Sequence, residues 1–369
     1  MKEIQYKKFS WNTHKKNWKL KRPNVCQFEL TFACGLNCNY CYASCYNKGQ
    51  YLKKELNTEQ VKFILDKLYN SGVIWICFTG GDPLTRNDFL EIYSYAKNKG
   101  FIISIFTNGY SMSKKIADYL KDKPPFVIEI TLNGVTKGSY EKISGVKNSF
   151  AETMQGLDLI LERKLPLKIK TQVIKDNLEE LAKIRKFVES LELKFRPSTF
   201  LHARLNGNLT PCSLRIKPEE VITFKKAHNS EETEKECKTD VSGSPPIDRQ
   251  INKKNNIFFK CAILGGDGIN IDPYGNMFPC ISIRNPKVNL MRKEIEASRK
   301  TILTWVRTRK FNTNSLCKNC AIIQKCYRCP GKALLETKSL EKPVDWFCNL
   351  AHLITNRQKI SKPRRSKNF

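Results

Sequence analysis

VCQFELTFACGLNCNYCYASCYNKG, residues 25–49, is the stretch that decides the fold. Its first eight residues are rich in β-branched and aromatic side chains and predict a strand. The strand runs directly into a loop carrying Cys34, Cys38 and Cys41, with Cys45 a little beyond. Folds built from βαβ units place ligands at the carboxyl ends of their strands, so a thiol-rich loop in this position predicts a site rather than a chance cluster.

Further units follow. VIWICFT (73–79), FIISIFT (101–107), FVIEITL (126–132), LKIKTQVI (167–174) and LKFRPSTF (193–200) read as strands. Amphipathic, helix-length stretches lie between them. In 58–72, Val61, Ile64, Leu65 and Leu68 share one face, with Thr58 placed as N-cap and Gly72 as the stop. In 176–192, Leu178, Leu181, Ile184 and Val188 repeat the pattern. Six βα units are too few for a closed eight-stranded barrel and predict an α/β fold of open form, a partial (β/α)6 TIM-like barrel or a doubly wound sheet. The strand ends then collect unusual residues: Gly80-Gly81-Asp82-Pro83, Thr107-Asn108-Gly109, Asn133-Gly134 and Lys175-Asp176-Asn177. Glycine at such turns lets backbone approach a ligand closely.

Composition narrows the class. The chain has 369 residues, 65 Lys and Arg against 35 Asp and Glu, and a formal charge of +30. That excess fits an anionic partner, although Lys is spread along the whole chain rather than gathered in a patch. No run approaches the roughly 18–20 apolar residues of a membrane span, and residues 1–16 lack the apolar core of a signal peptide, so the expected compartment is the cytoplasm, with no membrane partner. Thiols stay reduced there, and fifteen cysteines, eleven of them in two groups (34–45 and 261–348), point to metal. Cys26 and Cys77, in apolar runs, read as small core residues.

Three thiolates within eight residues leave a cubane 4Fe–4S cluster one ligand short. An electron-transfer protein has no use for an open iron, whereas an enzyme that must touch its substrate with the cluster needs one. Zinc on three cysteines with Cys45 as a fourth is the alternative. The CxxxCxxC spacing after a first strand, with aromatic Tyr40 before the last cysteine, resembles the radical S-adenosylmethionine superfamily. The resemblance implies a cluster on Cys34, Cys38 and Cys41 whose open iron is chelated by the methionine end of S-adenosylmethionine, which is reductively split to a 5′-deoxyadenosyl radical. It further implies cofactor contacts from Tyr40, from Gly80, Gly81, Asp82 and Pro83 (the family's GGE place, with Asp for Glu), from Asn108, and from Thr131 and Asn133. A family arginine corresponds here to Ser144, so Lys170 or Gln172 would have to replace it. No catalytic acid, base or hydrogen donor is assigned.

Beyond residue 230 the βα rhythm stops. Residues 230–256 are polar and read as a linker. Cys261, Cys280, Cys317, Cys320, Cys326, Cys329 and Cys348 follow, with the hairpin signal DPYGN (272–276) between the first two. This arrangement is similar to the SPASM auxiliary-cluster module. It implies one 4Fe–4S cluster on Cys317, Cys320, Cys326 and Cys348, and a second on Cys261, Cys280 and Cys329 with one position open unless Cys212 or Cys237 reaches in. The expected layout is a basic extension (1–24), the partial barrel (25–229), the linker (230–256), the cysteine-rich domain (257–348) and a basic tail (349–369). The resemblance implies an enzyme modifying a peptide, plausibly ribosomally made with an acidic leader, by cross-linking or epimerisation. An electron donor such as flavodoxin or ferredoxin, and a separate peptide-recognition protein, are the implied partners; nucleic acid is not. A sulfatase-maturase type, with Asp248, Asp267 or Asp272 as base, and a cofactor-building enzyme are the alternatives.

Overall fold

The computed structural model describes residues 5–228, 258–259, 261–312, 314–323 and 326–360. Among them lies a nine-stranded sheet in the order β6-β5-β4-β3-β2-β1-β7-β8-β9. Its strands are β1 (Val25–Thr31), β2 (Trp75–Gly80), β3 (Ile102–Thr107), β4 (Val127–Thr131), β5 (Leu167–Gln172), β6 (Arg196–Ser198), β7 (Gly268–Ile271), β8 (Asn276–Phe278) and β9 (Val288–Asn289). Strands β1 to β6 pair in parallel and in sequence order, with β6 at an open edge, as six βα units require. The linker 230–256, Cys237 and Asp248 lie outside the described residues.

One face of the sheet is apolar. Cys26, Phe28 and Leu30 of β1, Ile76 and Phe78 of β2, Ile103 and Ile105 of β3 join Val61, Ile64, Leu65 and Leu68 of the helix Thr58–Asn70 in one continuous core. That helix is capped one residue earlier than expected, by Asn57 rather than Thr58. Asn57 accepts from the Gln60 amide (2.9 Å) and Gln60 reaches back to the Asn57 amide (3.0 Å), a reciprocal cap. Thr58 instead donates its hydroxyl to Asp88 at 2.6 Å.

The other face alternates polar. Register sets Glu29, Cys77, Ser104, Glu129, Lys170 and Arg196 on successive strands of this inner side. Cys77 therefore is not the core residue the sequence suggested: it is absent from the apolar cluster and lies in the fields of Glu129 and Lys170. A parallel sheet is normally apolar on both faces. A polar second face marks the lumen of a partial barrel.

The basic extension contributes more than charge. Its helix Tyr6–Leu20 closes the end of the sheet where strands begin: His14 stacks on Trp75 (4.7 Å between rings), and Trp75 Nε1 donates to Tyr6 Oη at 3.0 Å. The cysteine-rich region joins the same sheet. Strand β7 pairs in parallel with β1, and β8 and β9 continue antiparallel through the DPYGN turn. Glu29, 1% exposed, receives both terminal nitrogens of Arg284 at 2.6 and 2.8 Å, tying β1 to the segment after Cys280. Arg215 and Glu336 form a second bidentate pair at 2.5 and 2.9 Å.

Candidate functional site

The loop after β1 is built before any ligand arrives. Its start is held by Glu55, which accepts from the Thr31 hydroxyl (2.7 Å) and the Phe32 amide (2.6 Å). Its middle leans on the helix Lys137–Ser144, with Asn37 N donating to Ser144 O (2.9 Å) and Asn39 N to Ile143 O (3.2 Å). A turn brings Cys41 N to Cys38 O at 3.1 Å. Cys34, Cys38 and Cys41 are each half-buried and sit close enough to feel one another's charge. Burial, and then Cys41 beside it, push the Cys38 thiol up to about 12; burial, with Asp82 and the other two thiols adding, pushes Cys34 higher still; burial also raises Cys41. Such a trio resists ionisation alone and is relieved by bound cationic iron, so the donor set fits a thiolate-ligated cluster. Among the described residues no three Cys, His, Asp or Glu side chains close around a single-ion position, and every described cysteine is a free thiol. Cys45, whose charge Cys41 also feels, has its Sγ 3.9 Å from Tyr42 O.

Gly80 and Gly81 pack closely on the thiol loop. A Cβ on Gly80, whose φ is +138°, would lie 2.0 Å from Thr31 O, and one on Gly81 2.3 Å from Ala33 O. The amides that follow are occupied as well: Gly81 N donates to Thr31 O (2.7 Å) and Asp82 N to Ala33 O (2.8 Å). Asp82 is completely buried. Its carboxylate accepts from Leu84 N (3.0 Å), the Thr107 hydroxyl (2.7 Å) and Asn108 N (2.9 Å), fastening the end of β3 to the end of β2. Burial raises its pKa against those hydrogen bonds. Pro83 is buried as well. In the protein alone these four residues support the loop.

Beside Cys38 lies a small cleft. Tyr40, Asn108, Thr131 and Asn133, far apart in sequence, all line it. Leu36 and Ile143 form an apolar wall, and Tyr140 and Ser144 complete it. Asn133 is fixed by accepting from Gln172 N (2.8 Å) while its carbonyl accepts from Asn177 Nδ2 (3.0 Å). Tyr40 packs against the cluster of Ile143, Ile174 and Leu201, close to Cys38.

Residues 28–188 match the family described as the Radical SAM superfamily. They form a radical SAM domain. The AdoMet-dependent heme synthase of Methanosarcina barkeri is 28% identical over 169 residues, 46% of this chain and 48% of that protein. The sporulation killing factor maturation protein SkfB of Bacillus subtilis is 26% identical over 44% of this chain and 38% of its own length. The match thus spans less than half the length of these curated relatives. Among solved structures, SuiB of Streptococcus suis bound to S-adenosylmethionine superposes with a TM-score of 0.65 at 14% identity, covering 94% of this chain and 84% of SuiB. Bound to its precursor peptide SuiA, it gives 0.66 at 16%, covering 89% and 77%. At that identity the likeness is one of fold.

Outside the radical SAM domain the seven C-terminal cysteines separate by proximity into two sets. Cys280 lies in the fields of Cys329 and Cys261; burial foremost pushes these thiols to about 12 (Cys280) and about 11 (Cys261). Cys348 lies in those of Cys326, Cys317 and Cys320, burial again leading and holding it at about 11. Cys212 sits instead with Arg215, Glu336 and Lys332. Asp272 caps the hairpin turn, accepting from Tyr274 N and Asn276 N at 3.0 and 2.9 Å, and Asp267 lies beside His14 at 4.0 Å. Arg196, on the polar face of the sheet, pairs with Glu129 at 2.8 Å. Glu55 and Tyr140 carry no motif and were not legible from the sequence, and Asn177 stood out there only as a strand-end residue. No helix among the described residues is long and apolar enough to cross a membrane.

Proposed function

We propose that Cys34, Cys38 and Cys41 hold a 4Fe–4S cluster with one open iron, and that this chain uses it to cleave S-adenosylmethionine and remove hydrogen from a peptide. The cluster with its bound nucleoside supplies one chemistry, reductive scission to a 5′-deoxyadenosyl radical. The observation that carries the reading is the cleft at Cys38, lined by residues from the loops after β1, β3 and β4. Thr131, Asn133 and Ser144 give it hydroxyl and amide groups suited to the polar ends of the nucleoside. Leu36, Ile143 and the ring of Tyr40 exclude water from the same space, which a reactive radical requires. Gly80, Gly81, Asp82 and Pro83 act from behind, holding the thiol loop and the Asn108 turn in register.

The two C-terminal thiol sets would hold auxiliary 4Fe–4S clusters of a SPASM-type module, one on Cys317, Cys320, Cys326 and Cys348, the other on Cys261, Cys280 and Cys329. Strand β7 pairs directly with β1, so the module is built onto the strand that leads into the thiol loop. A peptide substrate is supported by SkfB being a maturation protein and by SuiB binding a precursor peptide. The net charge of +30 suits an acidic leader. A flavodoxin or ferredoxin would deliver the electron, and a separate protein could present the peptide. A second reading, assembly of a haem-type cofactor, is favoured by the heme synthase relatives. The test is electron paramagnetic resonance on anaerobically reconstituted, reduced protein. S-adenosylmethionine should alter one cluster signal, absent when all three loop cysteines are Ala; an unaltered spectrum contradicts the reading. Mass shifts in short acidic-leader peptides, against turnover of iron porphyrins, separate the two substrates.

A further inference from the structure

Asn108 lines the cleft, and its side-chain amide also faces the thiol loop. Asn108 Oδ1 accepts from Tyr110 N at 2.8 Å, which settles the orientation of the carboxamide. Its Nδ2 then points at Cys34 Sγ, 3.3 Å away. The backbone beneath is fixed too: Asn108 N donates to Asp82 Oδ2 at 2.9 Å, and Asp82 is itself pinned by Leu84 N and the Thr107 hydroxyl. A second donor, Leu36 N, lies 3.5 Å from the same sulfur. We infer that Asn108 sets the reduction potential of the cluster on Cys34, Cys38 and Cys41 by hydrogen-bonding the Cys34 sulfur.

The physics is that of charge. Reduction adds one electron to a cluster already surrounded by thiolates, and a donor aimed at a ligand sulfur offsets part of the added negative charge. Losing that donor favours the oxidised form and makes the cluster harder to reduce. The position matters for this chain because Cys34 also lies in the field of Asp82, whose ionised form works in the opposite direction. Asn108 counters Asp82 while being held in place by it. The role is one of tuning through a ligand, and it rests on the cluster assignment proposed above.

The test is a redox titration of the full reconstituted chain, following the resonance signal that S-adenosylmethionine alters, for wild type, Asn108→Ala and Asn108→Asp. Iron content and circular dichroism are measured alongside. Asn108→Ala removes the donor without adding charge, whereas Asp keeps Oδ1 for Tyr110 N and sets a charged acceptor against the sulfur. The expected result is a midpoint shifted to more negative potential in both, and further in Asp than in Ala. An Asn108→Ala protein that loads iron and keeps the wild-type potential overturns the inference. Should Asn108→Ala lose its iron, the near-isosteric Asn108→Leu, which lacks the donor and adds no charge, decides in its place. A wild-type protein with no responsive signal removes the cluster assignment itself, a different failure.

Discussion

Replacing Asp82 by Ala is the sharpest test of how the site is supported. Asp82 accepts three hydrogen bonds in a fully buried position, two of them from the backbone amides of Leu84 and Asn108. The Thr107 hydroxyl can rotate to another partner, but the two amides cannot. A buried donor left without an acceptor costs about 1–3 kcal/mol, so the pair predicts roughly 2–6 kcal/mol. Relief of a carboxylate whose burial raises its pKa offsets part of this, as does any water entering the space, and we expect a net loss of about 3 kcal/mol. Asp82→Asn keeps an acceptor for Leu84 N but sets its NH2 against Asn108 N, for a loss of about 1–3 kcal/mol. The assay is urea unfolding of metal-free protein under reducing conditions, paired with iron uptake on reconstitution. A loss below about 1 kcal/mol in Asp82→Ala, with iron uptake intact, would refute the claim that this carboxylate fastens the β2 and β3 ends together.

Three further outcomes are expected. Arg284→Met leaves Glu29 buried without its partner and should cost about 3–5 kcal/mol, much of it restored when Glu29→Gln is added; a single variant as stable as wild type by urea midpoint would show that the pair does not join β1 to the C-terminal region. His14, pushed down to about 4 by burial, is protonated later in the folded chain than in the unfolded one, whose histidine titrates near 6.5. The unfolded state therefore binds the extra proton first, and stability falls as pH drops from about 6.5 to about 4, by at most about 3 kcal/mol because Asp267 at 4.0 Å works against the shift. Urea titrations of His14→Gln should lack that slope; an unchanged slope contradicts the assignment. Cys348→Ala should remove one auxiliary cluster and lower iron per chain by about one third if three 4Fe–4S clusters load. A full iron complement in that variant would place Cys348 outside the ligand set.

The strands were legible because each is a short β-branched or aromatic run ending at a turn residue, and the order β1 to β6 followed from their alternation with helices. Their ends were less so. LKFRPSTF shrinks to Arg196–Ser198 because Pro197 has no amide to donate and β6 is an edge. The helix expected from 176 begins in a 3-10 turn, where the Asn177 side chain meets Ile174 N, Gln172 O and Asn133 O, a long-range tie that periodicity does not carry. The pairing of β7 with β1 joins residues more than two hundred apart, and nothing local to either strand announces it. Cys77 looked like core because its neighbours are apolar, yet alternation turns it to the polar face. At the site, the spacing of the cysteines was visible and so were the strand-end residues, but their division of labour was not. Which glycine faces a ligand and which faces a neighbouring loop depends on Thr31 and Ala33, and sequence does not show that contact.

The claim beneath all of this is that three thiols in the loop after β1 hold an open cluster that breaks S-adenosylmethionine. The direct measurement is 5′-deoxyadenosine released by anaerobically reconstituted protein under strong reductant. We predict its formation by the wild type and its loss when Cys34, Cys38 and Cys41 are replaced by Ala. No product from an iron-loaded wild type, or product that survives the triple replacement, would contradict the account.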